Sequence, residues 1–294
     1  MDGLEALSDS GCDLAPGDIV GGRYEILRLT CRREMSCAYL VKDRALLGEQ
    51  FLLRAVRRSA RGADGEPFDE AVEREMQVKS KLVHPLIQRM HDTGKTDTHH
   101  YAVLERLDGE RLDKKVRREG PQKQGDVLGW ALELCDVLGY LHGQDPPIVF
   151  GDVRPGSIFL CSDGHIRLLL DDCSRAYCRS IAGDAGALFA FGYPPPECCG
   201  KALPDPRMDV YALGATIWHL LSGEAPKEFP VPDVRVSNPA VDDWLAGTVL
   251  HTCLQPDPDR RYQSCKELAV ALKGPRRKGA RALWGRWRRK TPQR

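Results

Sequence analysis

Three groups of side chains in this 294-residue sequence have types and spacing that could do chemistry. Asp171 and Asp172 are adjacent acids after an apolar run, and neighbouring carboxylates are candidate ligands for a divalent cation. A solvated acidic turn is the alternative. Eleven cysteines stand at irregular spacings with no C-x-x-C pair, which is typical of buried free thiols in a reducing compartment rather than of a zinc or redox site. The third group is the basic C-terminal stretch.

This stretch, residues 276–294, holds nine Lys and Arg side chains and no acid, interleaved with Leu283, Trp284 and Trp287. The pattern predicts an arm for an anionic membrane surface, with the tryptophans at headgroup level, or an arm for nucleic acid or an acidic partner. A merely solubilising tail and an intramolecular contact with acidic residues 2–18 are the remaining alternatives.

Composition limits the classes of protein that these groups can serve. The formal net charge of +1 excludes a globally basic nucleic-acid coat, and 42% hydrophobic with 29% charged residues excludes wholesale disorder. Residues 1–18 lack the basic start and apolar run of a signal peptide, and no stretch reaches the roughly 18–20 apolar residues of a membrane span. We expect a cytoplasmic protein, with peripheral attachment to the inner face of the membrane as the alternative that the tail allows.

The elements that must position any site change character along the chain. Strand-like segments are predicted at 24–29, 37–41, 51–56 and 101–104, with one helix over 68–82 whose apolar face holds Phe68, Val72, Met76 and Leu82. Beyond Gly109 helices dominate, with apolar stripes over 127–141 and 210–221. Between them, the apolar runs 157–160 and 166–170 flank Asp163-Gly164, which predicts a hairpin.

Three strings in the C-terminal half resemble motifs of the protein kinase superfamily, in particular the bacterial Ser/Thr kinases of eukaryotic type. They are GYPPPE at 192–197, DVYALG at 209–214 and DPDRRY at 257–262. The similarity covers roughly 23–273. It implies an α+β, two-lobed kinase-like fold with a mainly antiparallel N-lobe and a mainly helical C-lobe. The expected divisions are an acidic flexible segment 1–22, the N-lobe 23–107, the C-lobe 108–274 and the basic tail 275–294.

The resemblance also assigns structural roles. It implies that Glu197 pairs with Arg261 to hold the end of the activation segment, and that Asp209 accepts hydrogen bonds from amides of the catalytic loop. Glu75 takes the place of the helix glutamate that faces the strand lysine, although a solvated helix face is the alternative.

The phosphate-binding parts of that family are replaced here. Cys31 to Ala38 stands where a glycine-rich loop is expected and contains no glycine, so the backbone cannot approach phosphate in the same way. Arg54 occupies the lysine position, with Leu52 at the small position beside the adenine ring. A shifted register would put Arg57 there instead. We favour Arg54 from its spacing to Gly48.

The catalytic loop keeps Asp152 at the position of the catalytic aspartate, and Arg154 could contact a phosphate. Ser157 replaces a metal-binding asparagine and is a poorer Mg²⁺ ligand. In strict register Leu170 occupies the position of the family's metal-binding aspartate, whereas a slip of one residue would place Asp171 there. Because side chains alternate between the two faces of a strand, only one of these registers can be right.

By the same resemblance, Leu104, Glu105 and Leu107 line a degenerate nucleotide cleft together with Arg54 and Glu75. The sequence therefore predicts a pseudokinase, a signalling or scaffolding module with weak or no ATP binding and an unidentified protein partner. The alternatives are an active Ser/Thr kinase that uses ATP and Mg²⁺ through Asp152 and Asp171, and an adaptor tethered to membrane or nucleic acid by the tail.

Overall fold

The computed structural model describes residues 13–32, 36–58, 69–169, 193–199, 204–227 and 230–274. The strands in these ranges are Ile19–Val20 (β1), Tyr24–Arg32 (β2), Cys37–Asp43 (β3), Gln50–Arg57 (β4), Met90–Lys95 (β5), His99–Leu104 (β6), Gly109–Arg111 (β7), Ile158–Cys161 (β8) and Ile166–Leu168 (β9). The α-helices are Asp69–Lys79 (α1), Leu112–Glu119 (α2), Gln124–His142 (α3), Pro206–Ser222 (α4), His251–Cys253 (α5) and Cys265–Leu272 (α6). Short 3-10 helices cover Pro155–Ser157, Pro196–Cys199, Val234–Val236 and Pro258–Arg260, and a π-helix, Leu245–Leu250, leads into α5.

The N-lobe is one antiparallel sheet in the order β1-β2-β3-β4-β6-β5. One face buries an apolar core that includes Tyr39, Leu53 and Val103. The opposite face carries α1, whose Val72 and Met76 pack against Val56 of β4 and Ala102 of β6. Since side chains alternate between the faces of a strand, positions 52, 54 and 56 of β4 all lie on the face that carries α1.

Two boundaries differ from those predicted from the sequence. The N-lobe begins before Arg23, because Ile19 pairs with Glu25 and Leu14 packs against the sheet core, so residues 13–22 belong to the lobe and not to a flexible segment. Helix α1 ends at Lys79, and Leu82 packs in the core of the C-lobe rather than beside Val72. Phe68 lies outside the described residues.

The C-lobe is built around α3 and α4, which bury their apolar side chains in one large core. The Asp205 carboxylate caps α4 by accepting a hydrogen bond of 2.8 Å from the Arg207 amide, and Pro206 occupies the first helical position. Gly223 ends the helix with φ +83°, a left-handed conformation that favours glycine. Helix α4 is buried around most of its circumference, as its apolar pattern predicts.

A small sheet of β7, β8 and β9 lies beside the loop that follows α1. The Leu168 amide donates to Leu86 O at 2.7 Å, the Gln88 amide donates to Leu168 O at 3.0 Å, and the Leu169 amide donates to Ser157 O at 2.9 Å. These bonds bring the end of β9, the loop 84–88 and the 3-10 helix at 155–157 together. The predicted hairpin at Asp163-Gly164 connects β8 to β9.

Six cysteines among the described residues are free thiols, as the sequence predicts. Cys135, Cys253 and Cys265 are buried, and burial raises the pKa of each thiol, so they are unreactive. Cys37 departs from that expectation, because it is disulfide-bonded. Within the described ranges, no helix combines the length and the apolar character needed to cross a membrane.

Candidate functional site

The loop that carries Asp152 is shaped by one buried carboxylate. Asp209 on α4 is fully buried and accepts hydrogen bonds from the Phe150 amide and the Gly151 amide, both at 2.7 Å. Its Oδ2 also lies 2.8 Å from Nε2 of His142, the last residue of α3. Asp209 therefore forms the expected contacts with amides of the loop, and it also contacts the end of helix α3 through His142.

Local backbone geometry explains the glycine that precedes Asp152. Gly151 has φ +72°, a left-handed conformation in which a side chain would be strained. Downstream, Ser157 closes the loop: its Oγ donates to Asp152 O (2.6 Å) or Arg154 O (2.8 Å) and accepts from the Arg154 amide at 3.2 Å. The Ser157 hydroxyl is buried among these main-chain groups, so it serves the loop and is not presented as a metal ligand.

Asp152 and Arg154 form an ion pair within the same loop. Arg154 Nε donates to Asp152 Oδ1 at 2.6 Å, and the two side chains are 32% and 24% exposed, respectively. A carboxylate that acts as a base must reach a proton on a substrate. Here the Arg154 guanidinium is hydrogen-bonded to one of the two carboxylate oxygens of Asp152.

The cation predicted to replace the strand lysine is Arg54. It is buried, lies on the α1 face of the sheet and donates to Ser36 Oγ from Nε (3.2 Å) and Nη2 (2.9 Å). Arg57 lies on the opposite face, where its Nη2 is 3.3 Å from Asp13 Oδ2. The geometry therefore places Arg54, not Arg57, on the cleft side, and joins it to a hydroxyl at the end of the segment that replaces the glycine-rich loop.

Glu75 does not meet Arg54 in an ion pair, although both lie in the described part of the chain. Its carboxylate instead pairs with Lys79, one turn further along α1, at 2.5 Å. An i,i+4 pair of this kind stabilises the helix itself. The contact that the resemblance implied between helix α1 and strand β4 is absent between these two side chains.

The residues predicted to line a degenerate nucleotide cleft, Leu104, Glu105 and Leu107, lie in residues 104–108, the segment that joins the lobes. Leu104 is fully buried and pairs with Leu52 across the sheet, whereas Leu107 is partly exposed. Glu105 forms three contacts: its amide donates to Arg89 O at 2.9 Å, its Oε1 accepts from the Arg89 amide at 2.9 Å, and its carbonyl accepts from Gln88 Nε2 at 2.9 Å.

The end of the activation segment is fixed to the C-lobe by the expected pair. Arg261 Nη1 and Nη2 donate to Glu197 Oε1 and Oε2 at 2.6 and 2.7 Å, and the guanidinium lies over the Tyr211 ring. Nearby, the Tyr193 hydroxyl hydrogen-bonds Nδ1 of His219 on α4. Burial lowers the pKa of His219 to about 4, so its ring is neutral near pH 7.

Some sequence-predicted residues lie outside the described residues. These are Leu170, Asp171 and Asp172 of the metal motif, most of the activation segment, and the whole basic tail. The register at Leu170 and the role of the tail therefore stay predictions. Among the residues that are described, no group of three or more histidine, cysteine or acidic side chains is arranged to hold a metal ion.

The described side chains fit ATP and Mg²⁺ poorly. Arg54, Glu75 and Ser157 are each hydrogen-bonded or ion-paired to another group of the chain, and the Glu105 carbonyl already accepts a side-chain amide. Leu52 adds bulk where the resemblance expects alanine. No catalytic step through a nucleotide follows from this arrangement.

Sequence reasoning missed three residues of this site. Gln88 was detectable as a polar residue directly after the apolar Leu86-Ile87. His142 ends an apolar helix and gave no signal of its partner, which is 67 positions away in sequence. Ser36 stood in the glycine-poor segment, but nothing in the sequence indicated that Arg54 would reach it.

Comparison with known proteins agrees with the fold described above. The family model described as protein kinase domain matches residues 34–269. Serine/threonine-protein kinase F of Synechocystis is 27% identical over 285 residues, covering 87% of this chain and 56% of that protein. Serine/threonine-protein kinase PknI of Mycobacterium tuberculosis is 30% identical over 265 residues, covering 88% and 43%.

A solved structure shows the same fold. The crystal structure of the M. tuberculosis PknI kinase domain matches with a TM-score of 0.71 at 27% identity, covering 88% of this chain and 98% of that one. The chain spans about half the length of the curated relatives it matches, 56%, 41% and 42% for the first three.

Proposed function

Because the chain belongs to the protein kinase domain family, we propose that it is a pseudokinase: a kinase-fold module that binds ATP weakly or not at all. It acts by presenting its surface to a protein partner in a bacterial signalling pathway, in the cytoplasm. Its relatives are named serine/threonine-protein kinases, so the proposal concerns the loss of an activity on a retained fold.

One observation carries the proposal: side chains at the positions of the phosphate- and metal-binding groups contact the protein itself. Arg54 donates to Ser36, Glu75 pairs with Lys79, and Ser157 bonds the loop backbone. A nucleotide would have to displace these internal contacts before it gained its own.

Rate arithmetic supports the same conclusion. Removing one preorganised electrostatic group from an active site typically costs ~10²–10³ in rate. Here the lysine, the glycine-rich loop and the asparagine are all replaced. Phosphoryl transfer depends almost wholly on such positioning, so several losses together bring turnover close to background.

A second candidate function is an active Ser/Thr kinase with a non-standard nucleotide site. The retained loop geometry favours it, since Asp209 holds the Phe150 and Gly151 amides beside Asp152. That activity would use Asp152 as the base, Asp171 as the metal ligand and Arg54 in place of the lysine.

A thermal-shift titration with ATP, with and without Mg²⁺ or Mn²⁺, separates the two. A ligand that binds the native state raises its apparent stability by mass action. We expect no shift at millimolar ATP for the wild type. A metal-dependent shift that Asp171→Ala abolishes would refute the pseudokinase proposal, and a phosphotransfer assay with Asp152→Asn as control would then measure the activity.

A further inference from the structure

Gln88 has a buried side-chain amide beside the segment that joins the lobes, and only one of its two polar atoms is hydrogen-bonded. The residue is 3% exposed, and its Nε2 donates to Glu105 O at 2.9 Å. Its Oε1 is buried and accepts no hydrogen bond from the described part of the chain. Burying an acceptor without a partner costs about 1–3 kcal/mol, so this arrangement is not one that packing alone favours.

The backbone fixes Gln88 in this place. Its own amide donates to Leu168 O, and the flanking Ile87 forms a parallel bridge to Leu168. The next residue, Arg89, pairs with Glu105 through both its amide and its carbonyl. The side chain of Gln88 is therefore held between the end of β9 and the segment that joins the lobes.

Both polar main-chain groups of Glu105 therefore already have a partner within the protein. Its amide bonds Arg89, and its carbonyl bonds the Gln88 amide. A planar base that lies against this segment needs main-chain carbonyls to receive its amino hydrogens. The Glu105 carbonyl already accepts one such hydrogen bond, from the Gln88 amide.

We propose that Gln88 is a specificity-determining residue that closes the base-binding end of the cleft to ligands with an exocyclic amino group, adenine nucleotides among them. This inference rests on the proposed function and gives it a local cause. Gln88 acts as an internal substitute for the amino group of the base, and Leu52 adds bulk at the position where the kinase resemblance expects alanine.

The experiment compares adenosine with purine riboside, which lacks the 6-amino group, and measures both dissociation constants by ligand-observed NMR. The two dissociation constants are measured on the variant Leu52→Ala, which removes the bulk of the leucine side chain, and on the double variant Leu52→Ala/Gln88→Leu. The Gln88→Leu change keeps the size of the side chain but removes its amide. The matched control is Gln144→Leu in the same background, because Gln144 Nε2 also donates to a main-chain carbonyl, Tyr140 O at 2.8 Å, away from the cleft.

We expect Gln88→Leu to tighten adenosine binding by about fivefold to tenfold, the value of one recovered hydrogen bond, and to leave purine riboside unchanged. Equal gains for both ligands would mean general loosening and would overturn the inference, as would no gain. The wild type tests the proposed function separately: tight adenosine binding there contradicts that proposal, whereas the ratio between variants still decides the role of Gln88.

Discussion

Removing the carboxylate of Glu197 should destabilise the C-lobe far more than removing an ordinary surface acid. The Arg261 side chain is 0% exposed and that of Glu197 is 20% exposed, and two parallel bonds of 2.6 and 2.7 Å join them. Truncating one partner of a buried pair leaves an uncompensated charge and typically costs about 3–5 kcal/mol.

The surroundings of Arg261 place the expected loss at the lower end of that range. Its guanidinium also donates to Gln255 O at 2.7 Å, to Pro256 O at 2.9 Å and to Arg207 O at 3.2 Å. These carbonyls still solvate the charge after Glu197→Ala, so we expect a loss of about 3 kcal/mol. At about 2–4 °C per kcal/mol for a domain of this size, Tm should fall by about 6–12 °C.

The assay is thermal unfolding followed by circular dichroism, with Glu224→Ala as the matched control. Glu224 pairs with Lys227 at 3.3 Å, but these side chains are 68% and 77% exposed, so its loss should stay within about 0.5 kcal/mol. The double variant Glu197→Leu/Arg261→Met should regain most of the stability, because it leaves no buried charge. A Tm for Glu197→Ala equal to that of the control would refute the reasoning.

Three further outcomes are expected. Burial lowers the pKa of His219 from 6.5 in the unfolded chain to about 4 in the folded protein, so the unfolded state binds the proton more readily and the free energy of unfolding falls as the pH drops from about 6.5 towards 4. Urea unfolding should show a loss of about 2 kcal/mol over that pH range in the wild type and no such loss in His219→Gln. Parallel curves for the two proteins would contradict this. Gly109 has φ +137°, and a Cβ added there would lie 2.1 Å from Leu160 O. Gly109→Ala should therefore lower the free energy of unfolding, measured with urea, by about 2 kcal/mol or more. The control Gly125→Ala, where nothing lies within 4 Å of an added Cβ, should not lower it. Deleting residues 275–294 should weaken sedimentation with anionic vesicles at low salt, with neutral vesicles as control; unchanged binding would end the membrane-arm hypothesis.

The fold was largely predictable because its signals are local and repeated. The strands near 24–29, 37–41, 51–56 and 101–104, and the helices with apolar stripes, appear where their periodicity placed them. The kinase resemblance of the C-terminal strings agrees with the family match. The strands β1, β5 and β7 were missed, since short edge segments such as Ile19–Val20 show little alternation and are defined by the strand they pair with.

The contacts of the candidate site residues were not predictable from the sequence. Motif spacing located Asp152, Arg54 and Glu75, and β-strand alternation decides between Arg54 and Arg57 once the sheet is known. Neither pattern indicates that Glu75 forms its ion pair with Lys79 and not with Arg54. Pairings of this kind depend on the distance between elements far apart in sequence, which no local pattern encodes.

The Asp209 carboxylate has a consequence for how such a chain can evolve. It belongs to the core of the C-lobe, yet it sets the path of the catalytic loop through the Phe150 and Gly151 amides. Substitutions at the reactive positions therefore leave the outline of the loop in place. Under the pseudokinase proposal, a partner that recognises the shape of this loop would still bind the chain although no phosphoryl group is transferred.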